Sequence, residues 1–226
     1  MRKPVVDYRE FRLSKLKDPQ FSHLLLLLGW VVYFGLYFLT ENLIPAENCH
    51  PIHCKLDDII PFCEYFIIPY AGWYLLIVFS LGYFALYNVE NFRRLQIFIM
   101  VTQALAMVVY IVYPSCQELR PAEFPRENVF SWLLGLIYQF DTNTGVLPSL
   151  HCAYSIGIAS VWLKEKSVKP WFRAFIVVFC LLVCVSTAFV KQHSVLDFFA
   201  ALPVCLAAEI IACGNWWKEK YKLKRA

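Results

Sequence analysis

Long apolar blocks alternate with short charged segments along this chain. Residues 1–20 are charged; Phe21 to Leu39 is then almost wholly apolar, with leucines at 24–28. Residues 40–61 are polar and acidic. Further apolar blocks run from Phe62 to Val89, Leu95 to Val112, Pro148 to Leu163, Trp171 to Val190 and His193 to Cys213. Each is long enough, or nearly so, for a bilayer core that takes about 20 helical residues. The pattern predicts an all-α polytopic membrane protein with six transmembrane helices over 21–214, a cytoplasmic segment at 1–20 and a basic cytoplasmic tail at 215–226. No small-residue cleavage site follows the first block, so it reads as a retained helix. In the long connection 113–147, Val129 to Phe140 is apolar but too short to span, and reads as an interfacial or re-entrant helix. Pro203 predicts a kink in the last span.

Composition agrees: 59% of the 226 residues are hydrophobic and 17% charged, against about 25% charged in soluble domains. The net charge of +4 is a matter of topology. With the N-terminus inside, 17 Lys/Arg fall in inside segments and 4 (Lys55, Arg120, Arg126, Lys191) in outside ones. This asymmetry predicts both termini cytoplasmic, and the partner it implies is the bilayer, not nucleic acid. Trp216 and Trp217 stand where an aromatic belt would be. Five of the nine cysteines (Cys152, Cys180, Cys184, Cys205, Cys213) belong to apolar blocks and read as packing residues. Cys49, Cys54, Cys63 and Cys116 fall in polar connections and could pair if that side is oxidising. No spacing predicts a metal site, and no cofactor is implied.

Parity supplies the chemistry. The fourth and sixth spans both run from outside to inside, so their first turns share the outer face. His151 opens one; His193 and Asp197, four residues apart, open the other. An i, i+4 carboxylate can hold an imidazole in one tautomer, or the two can simply begin a helix. Arg120 and Lys191 lie in outside connections as well. Two histidines, a carboxylate and basic residues suit phosphoryl transfer at the outer face: one histidine attacks phosphorus and the other moves the leaving-group proton. Asp141 and Asn143 either contact an acceptor alcohol or turn the chain, the turn being the favoured reading. Glu209 reads as a snorkelling or paired acid near the inner interface, and His23, His50 and His53 as surface or interface residues.

Three motifs carry a family resemblance. Pro148-Ser-Leu-His151 resembles the second signature of the type 2 phosphatidic acid phosphatase superfamily. Ser186 to Asp197 resembles its third, in the spacing of Ser186, His193 and Asp197, and Arg120-Pro121 resembles the end of its first. The resemblance covers roughly residues 113–200. It implies that family's helical core and a metal-independent lipid phosphatase or phosphotransferase. His193 would be nucleophile, Asp197 its orienting partner and His151 acid/base, with Arg120 and Ser149 on the phosphate of a membrane lipid. Tyr113, Thr187 and Leu150 stand where the family has lysine, arginine and glycine. These departures look more like the inositol-phosphorylceramide and sphingomyelin synthase branch, which moves a phospho-head group to a lipid alcohol. The position of Lys191 suggests a replacement cation. With fewer cations, a singly charged phosphodiester fits better than a dianionic monoester. A non-catalytic lipid-binding or transport protein on the same frame is the contrasting expectation.

Overall fold

The structure, a computed structural model, describes residues 3–214. Trp216, Trp217 and the basic tail lie outside the described residues. Among the described residues helices dominate, and the two short strands form one two-residue ladder. A 3-10 segment, Ser22–Leu27, leads into α1 (Leu28–Leu43). β1 (His50–Pro51) and a five-residue α2 (Lys55–Ile59) follow in the next connection. Then come α3 (Ile67–Tyr87), α4 (Val89–Val112) and β2 (Ser115–Cys116), which pairs in parallel with β1 through His50–Ser115 and Pro51–Cys116. The chain continues through α5 (Val129–Phe140), α6 (Leu150–Lys164), α7 (Pro170–Phe189) and α8 (Val195–Cys213).

Among the described residues, five segments are long and apolar enough to cross a membrane: Ser22–Thr40, Glu64–Tyr87, Val89–Val112, Pro170–Phe189 and Val195–Cys213. They fit an integral membrane protein. Their outward faces stay apolar: Val31, Leu75, Val108, Leu181 and Leu206 are all exposed, as expected where lipid is the solvent. The expected fourth span is different. α6 has 15 residues, about 22 Å at 1.5 Å per residue, against about 30 Å of hydrocarbon. It is buried nearly all round, from Leu150 through Tyr154 and Ile158 to Trp162, and packs against α3, α4, α7 and α8. It is the axis of the core.

One boundary differs from the expected layout. Glu90–Arg94 is no connection; it forms the first turns of α4, and only Asn88 separates α4 from α3. The Asn88 side chain caps the Asn91 amide at 3.1 Å. Glu90 and Arg94 pair along the helix at 2.6 Å, so the charges support the helix instead of breaking it. Both Asn88 and Asn91 also donate to Glu165, tying this corner to the end of α6. Near the same end, Glu209 pairs with Lys164 and accepts from Ser160, as its position in the sequence suggests. His23 is not at the surface: it is 1% exposed and bonded to the Tyr8 hydroxyl.

The α4–α6 contact is tight at one point. A Cβ on Gly157 would lie 2.4 Å from the Phe98 ring, and Phe98 is itself buried. Gly157→Val is therefore expected to destabilise by about 3 kcal/mol through overpacking. Thermal melts in detergent measure this, and adding Phe98→Leu should recover part of the loss.

Candidate functional site

The site forms where the starts of α6 and α8 meet. Ser149 caps α6, its hydroxyl accepting from Cys152 N at 3.4 Å. Its own amide donates to the Asp197 carbonyl at 3.1 Å, and the preceding Pro148 carbonyl accepts from Tyr110 Oη at 2.9 Å. These bonds fasten the α6 start to α8 and α4. On the α8 side, Ser194 is the cap, with Asp197 three residues on completing a capping box. His193 is the residue just before that cap.

The structure brings together His151, His193 and Asp197. The two imidazole rings are 5.6 Å apart between centroids, inclined at 63°. His193 Nδ1 lies 3.0 Å from Asp197 Oδ2, which also accepts from Ser194 N at 3.1 Å. A carboxylate on Nδ1 puts the proton there and leaves the lone pair on Nε2. Burial pulls the His193 pKa down, but the hydrogen bond and charge of Asp197 outweigh it, so the ring titrates above the ordinary histidine value. His151 stacks on Tyr70 at 4.5 Å and packs against Trp73 at 4.1 Å, and its Nε2 has no protein partner among the described residues.

Both histidines open on a chamber of about 480 Å³. Its walls are mainly aromatic, with Trp30, Tyr33, Trp73, Tyr74, Tyr110 and Tyr154 among them. Phe34 and Val78 also line it and are 58% and 71% exposed. The chamber therefore reaches the outer surface of the bundle between α1 and α3. Asp141, Thr142 and Gln192 supply polar groups near the histidines. Among the described residues, no lysine or arginine lines the chamber.

Arg120, Lys191 and Ser149 do not line the chamber. Arg120 donates to the carbonyls of Tyr138, Asp141 and Thr142 and to Gln192 Oε1, at 2.6–3.1 Å. It covers the carbonyls that α5 leaves open at its C-terminus, not a phosphate position on the chamber wall. Lys191 Nζ donates to the carbonyls of Asp57 at 2.7 Å and Ile60 at 2.6 Å; burial lowers its pKa, against the charges of Asp57 and Asp58. Ser149 is fully buried as a cap. Asn143 serves the turn, exchanging bonds with Gln117. Asp141 does more than turn the chain: its carboxylate accepts from Tyr70 Oη at 3.1 Å and from Gln192 at 3.3 Å beside the histidines.

Two of the three positions that depart from the resembled signatures have local explanations. Thr187 is buried next to Cys152, and its carbonyl receives the amides of Gln192 and His193; an arginine there would have to displace this packing. Tyr113 stacks on His50 at 4.5 Å. Tyr70 and Gln192 are site residues that sequence reasoning missed. Gln192 adjoins His193 in the chain, and that adjacency was the only signal; Tyr70 gave none. Comparison of the chain with protein-family models, with curated proteins and with solved structures finds no match.

Proposed function

We propose that the protein is an integral-membrane lipid phosphatase or phosphotransferase that carries the phosphoester group on His193. The observation behind this reading is the His151–His193–Asp197 arrangement at one end of an aromatic chamber that reaches the lipid-facing surface. The motif resemblance to type 2 phosphatidic acid phosphatases supports it. In this reading α6 is a sixth, short span, and the site faces the extracytoplasmic side with both termini in the cytoplasm. The distribution of Lys and Arg supports that orientation.

The chemistry is a double displacement. His193 Nε2 attacks phosphorus, forming a P–N bond as the P–O bond to the leaving alcohol breaks. His151 gives that oxygen its proton. An acceptor hydroxyl then returns a proton to His151 as its oxygen attacks phosphorus, and the P–N bond breaks. The acceptor is water in a phosphatase and a lipid alcohol in a transferase. Both histidine roles are filled by the protein, and the reaction as written needs no metal.

A chamber wall on which, among the described residues, Asp141 stands and no lysine or arginine does favours a phosphodiester with one negative charge over a dianionic monoester. A panel of labelled lipids, each with and without an added lipid alcohol, tests this. Phosphodiester lipids should turn over and phosphatidate should be spared. A product that needs the added alcohol identifies a transferase; one that forms without it identifies a phosphatase. Efficient hydrolysis of phosphatidate with phosphodiesters untouched would refute the substrate assignment.

A further inference from the structure

We infer that Asp57, on the short helix α2, is a positioning residue for His193. Nothing in the local sequence marks it: Asp57 lies 136 residues before His193, in a connection far from the motifs. Yet it is 2% exposed, and its carboxylate is bound on three sides. Oδ2 accepts from Ser194 Oγ at 2.6 Å and from Cys54 N at 2.8 Å, and Oδ1 accepts from Val195 N at 2.8 Å. Burial would raise its pKa, but these donors hold it below the ordinary carboxylate range.

The bond to Cys54 belongs to α2 itself, where Asp57 closes a capping box. A helix of five residues needs no more than that. The other two bonds reach the start of α8, and they have a consequence for the site. Ser194 gives its hydroxyl proton to Asp57, so its oxygen is left to accept from Leu196 N at 3.2 Å. This fixes Ser194 with its amide aimed at Asp197 Oδ2, the oxygen that holds His193 Nδ1. Asp57, Ser194, Asp197 and His193 thus form one chain of hydrogen bonds. Each link leaves the next a single favourable orientation.

Lys191 belongs to the same strap. Its backbone stands at φ 54°, a left-handed conformation disfavoured for any residue with a side chain. The loop holds that shape while Lys191 Nζ donates to α2 carbonyls from one side and Asp57 binds Val195 from the other. Cys63 N adds a bond to the Phe189 carbonyl at 3.0 Å. The connection between α1 and α3 is therefore built onto the His193 loop. Lys191 contributes by bracing that loop, without reaching the chamber.

A consequence for turnover rests on the phosphotransfer reading; the positioning does not, so two measurements separate them. In protein labelled with 15N-histidine, the His193 Nδ1–H resonance is identified by its loss in His193→Ala. In Asp57→Ala it is expected to move upfield or vanish through solvent exchange. In Asp58→Ala, where an exposed neighbour is removed, it should stay in place. If Asp57→Ala does not fold, Asp57→Asn keeps the size but cannot accept from all three donors, and the same displacement is expected. On turnover, kcat should fall by about 10²-fold, as for a misplaced reacting group, with KM and the number of phosphoenzyme sites per folded protein preserved. A purely structural role would instead reduce the number of sites and leave the rate per site unchanged. If the wild type moves no phosphoester group, the functional reading fails while the resonance still decides the role of Asp57. An Nδ1–H resonance unchanged in folded Asp57→Ala or Asp57→Asn would overturn the inference.

Discussion

His193→Ala is expected to lower lipid phosphoester turnover by at least about 10⁴-fold, the scale seen when a nucleophile acting as part of a unit is removed. Folding should be nearly unaffected. The ring makes one side-chain hydrogen bond, to Asp197, and otherwise faces the chamber. Its loss therefore enlarges a space that already exists instead of opening a new void in packed core. Melting in detergent and lipid binding are the controls. A variant that melts like the wild type, still binds lipid and does not turn it over is the outcome that fits an enzyme. If the wild type binds lipid and turns none over, the protein is a binder or transporter on this frame.

Asp197 should separate orientation from charge. Ser194 N donates to Oδ2 at 3.1 Å, so in Asp197→Asn the amide oxygen is held at that position. It can still accept from His193 Nδ1, and the tautomer survives while the charge is lost. Asp197→Ala loses both. The expected penalties are about 10²-fold for Asn and about 10⁴-fold for Ala. The pH dependence follows from the same geometry. Attack needs neutral His193, and Asp197 raises its pKa above the ordinary 6.5. The inflection set by His193 should thus lie above that value, and the need for a protonated His151 as the acid gives the profile a second one. Removing the carboxylate withdraws support from the imidazolium, lowers the pKa and moves the His193 inflection to lower pH, on a lower plateau. Equal losses in the two variants would remove orientation as the role of Asp197. A profile in which neither inflection moves would mean that another group titrates.

The parts of the site written as short spacings were legible in the sequence. His193 and Asp197 are one helical turn apart, and parity of the spans brought His151 to the same end; neither step needed side-chain detail. Arg120 and Lys191 were not legible, for a common reason. Both are long side chains, and their direction depends on carbonyls contributed by distant segments: the end of α5 for Arg120 and α2 for Lys191. Asp57 was hidden in the same way. The helical frame was legible from apolar blocks, but one boundary and the burial of one helix were not. Glu90–Arg94 looks like a loop by hydropathy and is helical because its charges pair along the helix. α6 looks like a short span, and its burial on all sides appears only once four other helices surround it.

The central claim is that His193 carries the phosphoester group, and trapping that intermediate tests it most directly. The protein is mixed with a lipid phosphodiester labelled at phosphorus, quenched in base, where phosphohistidine survives, and mapped by peptide. Label on the peptide containing His193, absent in His193→Ala and discharged on adding an acceptor alcohol or water, is the predicted result. Turnover of the lipid with no label on His193, or with the label on another residue, would contradict it.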